Sequence, residues 1–165
     1  MNSDVTIRDG RETDAEQVWQ LICELAKYER ASDEVITTPD ILRRDGFGQH
    51  PLFSLDVAEA GGEIAGIAIC YVRYSTWKGP VLYLEDIVVK ESLRGKGIGD
   101  LLFRKVLART LSGHYHSLVW QVLDWNEPAI HFYKKFGAEQ SSEWLNMRIT
   151  QEKATALLSA LPASL

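Results

Sequence analysis

Residues 84–103 read Leu84-Glu85-Asp86-Ile87-Val88-Val89-Lys90-Glu91-Ser92-Leu93-Arg94-Gly95-Lys96-Gly97-Ile98-Gly99-Asp100-Leu101-Leu102-Phe103, and this stretch decides the fold. An apolar run gives way to glycine-rich sequence and then to apolar residues at helical spacing. That order predicts a strand, a loop and a helix. A strand entering such a loop leaves free backbone N–H groups at the positive end of the next helix, an arrangement that binds phosphate. Two nucleotide loops are excluded by position. A Walker loop needs glycine where Lys90 stands and Ser or Thr where Gly97 stands. A dinucleotide fingerprint on Gly95 and Gly97 needs Gly or Ala where Asp100 stands.

Working outward, the strand extends back to Val81 and is apolar on both faces apart from Glu85 and Asp86, as expected of a central strand covered on two sides. The helix runs from Gly97 to about Ser112, with one apolar row at Ile98, Leu102 and Val106 and another at Phe103, Leu107 and Leu111. Upstream, Phe53 to Ala58 and Ile64 to Tyr74 read as strands around a Gly61-Gly62 turn, and Trp77-Lys78-Gly79-Pro80 makes the next turn. Val5 to Arg8 is a short first strand. Thr13-Asp14-Ala15-Glu16 has a capping-box pattern and opens a helix that ends near Tyr28-Glu29, with a stripe at Ala15, Val18, Ile22, Leu25 and Ala26. A second helix spans Pro39 to Asp45, with Gly46 as its stop. Downstream come a strand from Ser117 to Leu123, a helix from Glu127 to Phe136, a strand from Trp144 to Ile149 and a closing helix from Gln151 to Ala160. The pattern is α/β (α+β), a mixed central sheet in one domain spanning 1–165.

Composition narrows the partners. A chain of 165 residues with 45% hydrophobic and 25% charged content is an ordinary globular domain. Its net charge of −5, without a basic run, argues against nucleic acid; it suits a cationic substrate and equally serves solubility. No apolar run is long enough to span a bilayer, and Met1-Asn2-Ser3-Asp4 does not resemble a signal peptide. Cys23 and Cys70 are far apart without metal-type spacing, which fits a reducing cytoplasm. His50, His114, His116 and His131 form no metal set, so no metal is expected.

Arg94, Gly97 and Gly99 fit Arg/Gln-x-x-Gly-x-Gly/Ala, which resembles the acetyl-CoA pyrophosphate loop of the GNAT acetyltransferase superfamily. The likeness extends over nearly the whole chain. Glu24 to Glu29, Asp45-Gly46-Phe47-Gly48, Tyr83-Leu84-Glu85-Asp86, Trp125-Asn126 and Phe132-Tyr133-Lys134 resemble the diamine (spermidine/spermine) N-acetyltransferase family. Tyr74-Ser75-Thr76-Trp77-Lys78-Gly79 and Val122-Leu123-Asp124-Trp125-Asn126 are closer to its thialysine N-epsilon-acetyltransferase branch. The polyamine branch carries Asp where this chain has Ser75, so one carboxylate for a second ammonium is missing. After Ala138 the chain is also shorter than the family pattern before Trp144.

The resemblance implies a GNAT fold with helices on both faces of the sheet. It also implies acetyl transfer from acetyl-CoA to a primary amine of a small cationic acceptor, by direct attack in a ternary complex. A homodimer is implied by the family alone. The acceptor is a diamine, a polyamine or a thialysine-like amino acid; a protein amine, another small amine, or a non-catalytic coenzyme A sensor are the alternatives. Ile87, Val88, Val89, Arg94, Gly95, Lys96, Gly97, Ile98, Gly99, Asp100, Asn126 and Tyr133 would then hold the cofactor, and a backbone N–H in 87–89 would serve the oxyanion.

An alkyl ammonium has a pKa near ~10, so the acceptor must lose a proton. Glu85 is the candidate base, through water, and Tyr133 the candidate acid for the departing thiolate. By helical spacing alone Tyr133 would pack with Ala129, Ile130 and Phe136. Asn126 suits both cofactor contact and a helix N-cap. Tyr28, Glu29, Trp77, Glu85 and Asp86 are the candidate acceptor-binding residues. Trp77 either lies on the substrate by cation–π attraction or covers the core edge. Asp33 and Glu34 extend an acidic entrance or form a solvated pair. As strand neighbours, Glu85 and Asp86 point to opposite faces unless a bulge intervenes, and Asp86 either joins the pocket or makes a salt bridge on the sheet.

Overall fold

Val5–Asp9 (β1), Ser54–Ala60 (β2), Glu63–Ser75 (β3), Gly79–Val89 (β4) and Leu118–Val119 (β5) pair in that order in one sheet of the computed structural model, which describes residues 5–160. The first three pairings are antiparallel and β4–β5 is parallel, so the sheet is mixed. The turn at Gly61 and Gly62 uses positive φ at both residues and joins β2 to β3. The next hairpin closes at Ser75 opposite Gly79, where Ser75 Oγ accepts from the Trp77 and Lys78 N–H groups at 3.3 and 3.2 Å.

Alternation along the strands assigns a helix to each face. Leu55, Val57, Ile67, Ile69 and Val88 form a buried cluster with Ala15, Val18 and Leu21 of the helix Ala15–Tyr28 (α1) and Leu42 of the helix Pro39–Phe47 (α2). The intervening Asp56 points to the opposite face and receives Arg109 of the helix Ile98–Ser112 (α3). Burial of each large aliphatic side chain contributes roughly 1.5–3 kcal/mol, so these two layers hold the sheet. The row Ile98, Leu102 and Val106 is buried as expected. In the adjacent row only Phe103 is, set edge-on against Trp120, while Leu107 and Leu111 are exposed.

The unit built on this sheet runs to Gln121, and a second unit begins at Val122. The second contains the helices Glu127–Lys134 (α4) and Gln151–Ser159 (α5).

Five local expectations need correction. Thr13 and Glu16 form no capping box: a 3-10 turn at Glu12–Asp14 precedes α1, and Asp14 accepts from the Arg11 N–H at 2.7 Å and from Arg8. Gly46 does not stop α2, which continues to Phe47 and is capped at Gly48. Its lack of a side chain serves packing instead, because a Cβ there would lie 2.6 Å from the Phe53 ring. The strand expected over 117–123 pairs only at Leu118–Val119. The helix expected to reach Phe136 ends at Lys134. Residues 144–149 form no strand; their apolar side chains alternate, but the described residues offer them no ladder, and Trp144, Leu145, Met147 and Ile149 stay exposed.

Candidate active site

The pairing of β3 with β4 builds the site. The hairpin register sets Tyr71 opposite Tyr83 and Arg73 opposite Val81. Cys70 faces Leu84, yet Ile69 faces Asp86, so Glu85 is an extra residue on β4. This is a β-bulge, and it resets the alternation. Residues directly opposite in a ladder share a face. Asp86 therefore lies on the face of Ile69, Tyr71, Arg73 and Tyr83, which is the α1 face. A regular strand would have sent it to the α3 side. The bulge thus brings Glu85 and Asp86 to one place.

The electrostatics agree with that placement. Burial pushes the Asp86 carboxyl up to about 6, and the charges of Glu85 and Glu29 push it the same way. Glu29 sits just after the end of α1 and is itself raised by burial. Burial and the nearby Glu85 charge also raise the Tyr71 and Tyr83 hydroxyls. Asp86 thus feels two further carboxylates, Glu85 beside it on β4 and Glu29 just after α1. Such a cluster disfavours added negative charge and favours a cation.

The edge of β4 facing β5 is open beyond this point. The ladder to β5 stops at Tyr83 and Val119, so from Leu84 to Val89 the backbone on that side has no strand partner among the described residues. An open edge accepts an extended amide-bearing ligand as if it were another strand. At its end Val89 O accepts from Arg94 Nε at 3.1 Å, and the Arg94 guanidinium lies 5.3 Å over the Tyr28 ring. The glycine loop is thereby fastened beside the end of α1.

Gly95 and Gly97 take φ of 73° and 81°, the left-handed region where a Cβ is strained, and open space surrounds both. Gly97 caps α3, whose first N–H groups face out of the helix end. Lys96 lies within this loop and Asp100 in the first turn. The loop presents backbone donors and two cationic side chains at one helix start, an arrangement suited to a phosphate group.

Asn126 and Tyr133 belong to the second unit. Asn126 caps α4, accepting from the Ala129 N–H at 3.3 Å. The Tyr133 ring meets Phe132 edge-on at 5.2 Å. Trp77 stands at the hairpin tip, 84% exposed, apart from the carboxylates. Asp33 and Glu34 lie in a 3-10 turn after α1. No three of the described His, Cys, Asp and Glu side chains are grouped to hold a metal ion, and no described helix is long and apolar enough to cross a membrane.

Sequence reasoning missed Tyr71, Arg73, Tyr83 and Gln121. Tyr71 and Tyr83 stack at 5.0 Å, the Tyr83 hydroxyl donates to Gln121 Oε1 at 3.0 Å, and the Arg73 guanidinium lies 5.9 Å over the Tyr83 ring. The signal was present, because closing the hairpin between Ser75 and Gly79 forces Tyr71 opposite Tyr83. A separate cavity of about 240 Å³ is lined by Phe53, Ser54, Cys70, Arg109 and Tyr115, and of the site residues only Tyr71 reaches it. Burial pushes its Cys70 thiol up to about 12, so that thiol stays protonated at neutral pH.

Comparison with known proteins gives a consistent picture. The profile of the Acetyltransferase (GNAT) family matches residues 15–138. Thialysine N-epsilon-acetyltransferase of Bos taurus is 43% identical over 84% of this chain and 86% of its own length. A spermidine/spermine N(1)-acetyltransferase-like protein of Homo sapiens is 34% identical over 89% of this chain and 23% of that longer protein. Among solved structures, an integron cassette protein from the mobile metagenome of V. cholerae superposes with a TM-score of 0.77 at 21% identity, covering 96% of this chain and all of that one. At that identity the likeness concerns the fold.

Proposed function

This chain belongs to the GNAT acetyltransferase family, and from that membership we propose that it transfers an acetyl group from acetyl-CoA to the side-chain amine of a small cationic acceptor of the thialysine kind. The observation that carries the reading is the β4 bulge that turns Asp86 to the α1 face, where the charges of Glu85 and Glu29 act on it, next to the open edge of β4. Acetyl-CoA supplies the activated acyl group. The residues of this chain have three tasks: to seat the ammonium, to take its proton, and to hold a proton for the departing thiolate.

The carboxylate cluster seats the ammonium. Glu85, the extra residue of the bulge, takes the proton through water while Asp86 adds negative charge beside it. Backbone N–H groups within 87–89 serve the carbonyl oxygen as it gains charge, and direct attack by the amine makes an acyl-enzyme unnecessary. Tyr133 is assigned the proton for the thiolate and Asn126 a cofactor contact, both on family resemblance. A thialysine-like acceptor is favoured over a polyamine at Ser75, a neutral side chain whose oxygen already accepts two backbone N–H groups.

We read residues 1–165 as one acetyltransferase domain, because the family match runs across the boundary at Gln121. A homodimer is proposed in keeping with the family, and the exposed apolar residues Trp144, Leu145, Met147 and Ile149 support it. The free thiols of Cys23 and Cys70 suit a cytoplasmic location.

Calorimetry with coenzyme A, followed by thiol release on a panel of thialysine, lysine, putrescine and spermidine, tests the reading. Turnover on the amino acids supports it. Coenzyme A binding with no turnover on any amine favours a sensor, and turnover on polyamines alone moves the acceptor to the other branch. Glu85→Gln should displace the pH–rate profile; a profile identical to wild type would remove Glu85 as the base.

A further inference from the structure

We propose that Arg73 receives the carboxylate of an amino-acid acceptor, so that this site selects ω-amino acids over diamines of the same length. The inference rests on the acetyl-transfer reading above and names what holds the far end of the substrate.

Its ground is the order of side chains on one face. Arg73 shares the α1 face with Tyr71, Tyr83 and Asp86. Its guanidinium lies 5.9 Å over the Tyr83 ring, and Tyr83 is held from two sides, by the Tyr71 ring and by Gln121. Cation–π attraction to a fixed ring draws the guanidinium toward this face and leaves its N–H groups able to donate. No carboxylate of the described residues lies within ion-pair distance of Arg73. The cation is therefore available to a ligand, and a planar fork matches a carboxylate bidentately.

Spacing selects the ligand. Asp86 pairs with Ile69, two steps from the Tyr71–Tyr83 pair on the partner strand, roughly 7 Å along it. That is about the reach of an extended side chain of lysine length. An acceptor with its amine among Glu85, Asp86 and Glu29 would lay its aliphatic part along the tyrosines and bring its carboxylate to Arg73. A diamine would place a second ammonium against the same guanidinium, and like charges repel. One sheet face thus carries negative charge where the reacting amine sits and positive charge where the other end of the substrate arrives.

The test compares thialysine with its carboxylate-free analogue, S-(2-aminoethyl)cysteamine, in wild type, Arg73→Met and Arg73→Lys. The readout is the ratio of kcat/KM for the two compounds. Wild type should prefer thialysine. Arg73→Met should lower that ratio on the order of ten- to hundredfold, mainly through KM for thialysine, as expected for loss of a charge-assisted pair. Arg73→Lys should keep part of it. A ratio unchanged in Arg73→Met, with wild type active on both compounds, overturns this inference and leaves the acetyltransferase reading standing. Wild-type protein that acetylates neither compound overturns both. Arg73 is exposed, so unfolding is not expected to obscure the result; equal melting temperatures of the three proteins check this.

Discussion

Replacing Asp86 with Asn should stabilise the protein at neutral pH and slow it as an enzyme. Burial, together with Glu85 and Glu29, raises this carboxyl from 3.8 to about 6. The folded state therefore holds the proton more tightly than the unfolded chain. Below about pH 4 both states are protonated and the residue contributes nothing. As pH rises from about 4 through about 6, the folded state still binds a proton that the unfolded chain has lost, so stability falls across that window. Above it the deficit is constant. A displacement of roughly two pKa units at 1.36 kcal/mol each gives about 3 kcal/mol. Asp86→Asn removes this half-buried charge and should recover most of that.

The assay is urea unfolding of both proteins at about pH 4.5 and about pH 7.5, comparing the difference between them. The expected gain is roughly 2–3 kcal/mol at the higher pH and much smaller at the lower. The same comparison made in a Glu29→Gln background should give a smaller gain, because one of the two like charges is already relieved. An Asp86→Asn protein less stable than wild type at neutral pH, or a difference independent of pH, would refute the reasoning. Such a stability cost at a proposed acceptor-binding residue is the usual exchange between stability and activity.

Other substitutions probe different parts of the molecule. Arg109 donates to the fully buried Asp56 through Nε and Nη2 at 3.1 and 2.6 Å. Arg109→Met should cost roughly 3–5 kcal/mol in urea unfolding, and adding Asp56→Leu should recover much of it. Gly97→Ala forces a side chain to φ of 81° and should weaken coenzyme A binding in calorimetry, whereas Gly61→Ala at a distant turn should not. Tyr133→Phe should lower kcat roughly 100-fold while leaving coenzyme A affinity within about twofold; an unchanged kcat removes its role as the acid.

What was legible in the sequence was whatever depends on neighbours along the chain. The Arg94–Gly99 loop and α3 follow from glycine punctuation and helical spacing, and the Gly61-Gly62 turn from two glycines together. Asn126 as a helix cap follows from Pro128 and the apolar spacing after it. The features that were not legible depend on partners distant in sequence. The bulge at Glu85 exists only in relation to Ile69 and Cys70, and without it Asp86 cannot be assigned to a face. Gly46 reads as a helix stop until Phe53 is seen against it. Trp144 to Ile149 alternates like a strand, but alternation does not supply a neighbour to pair with. Arg73 drew no notice because its meaning comes from the tyrosine beneath it, across the hairpin.

Receipt of an amine beside Glu29, Glu85 and Asp86 for acetyl transfer is the step on which the proposed function turns. It is tested most directly by incubating the protein with acetyl-CoA and thialysine and identifying the product by mass spectrometry alongside thiol release. One acetyl group on the side-chain nitrogen is expected for each coenzyme A set free, with Glu85→Gln reducing both together. Coenzyme A release no faster with amine than without, or acetyl found on the protein instead of the amine, would contradict it.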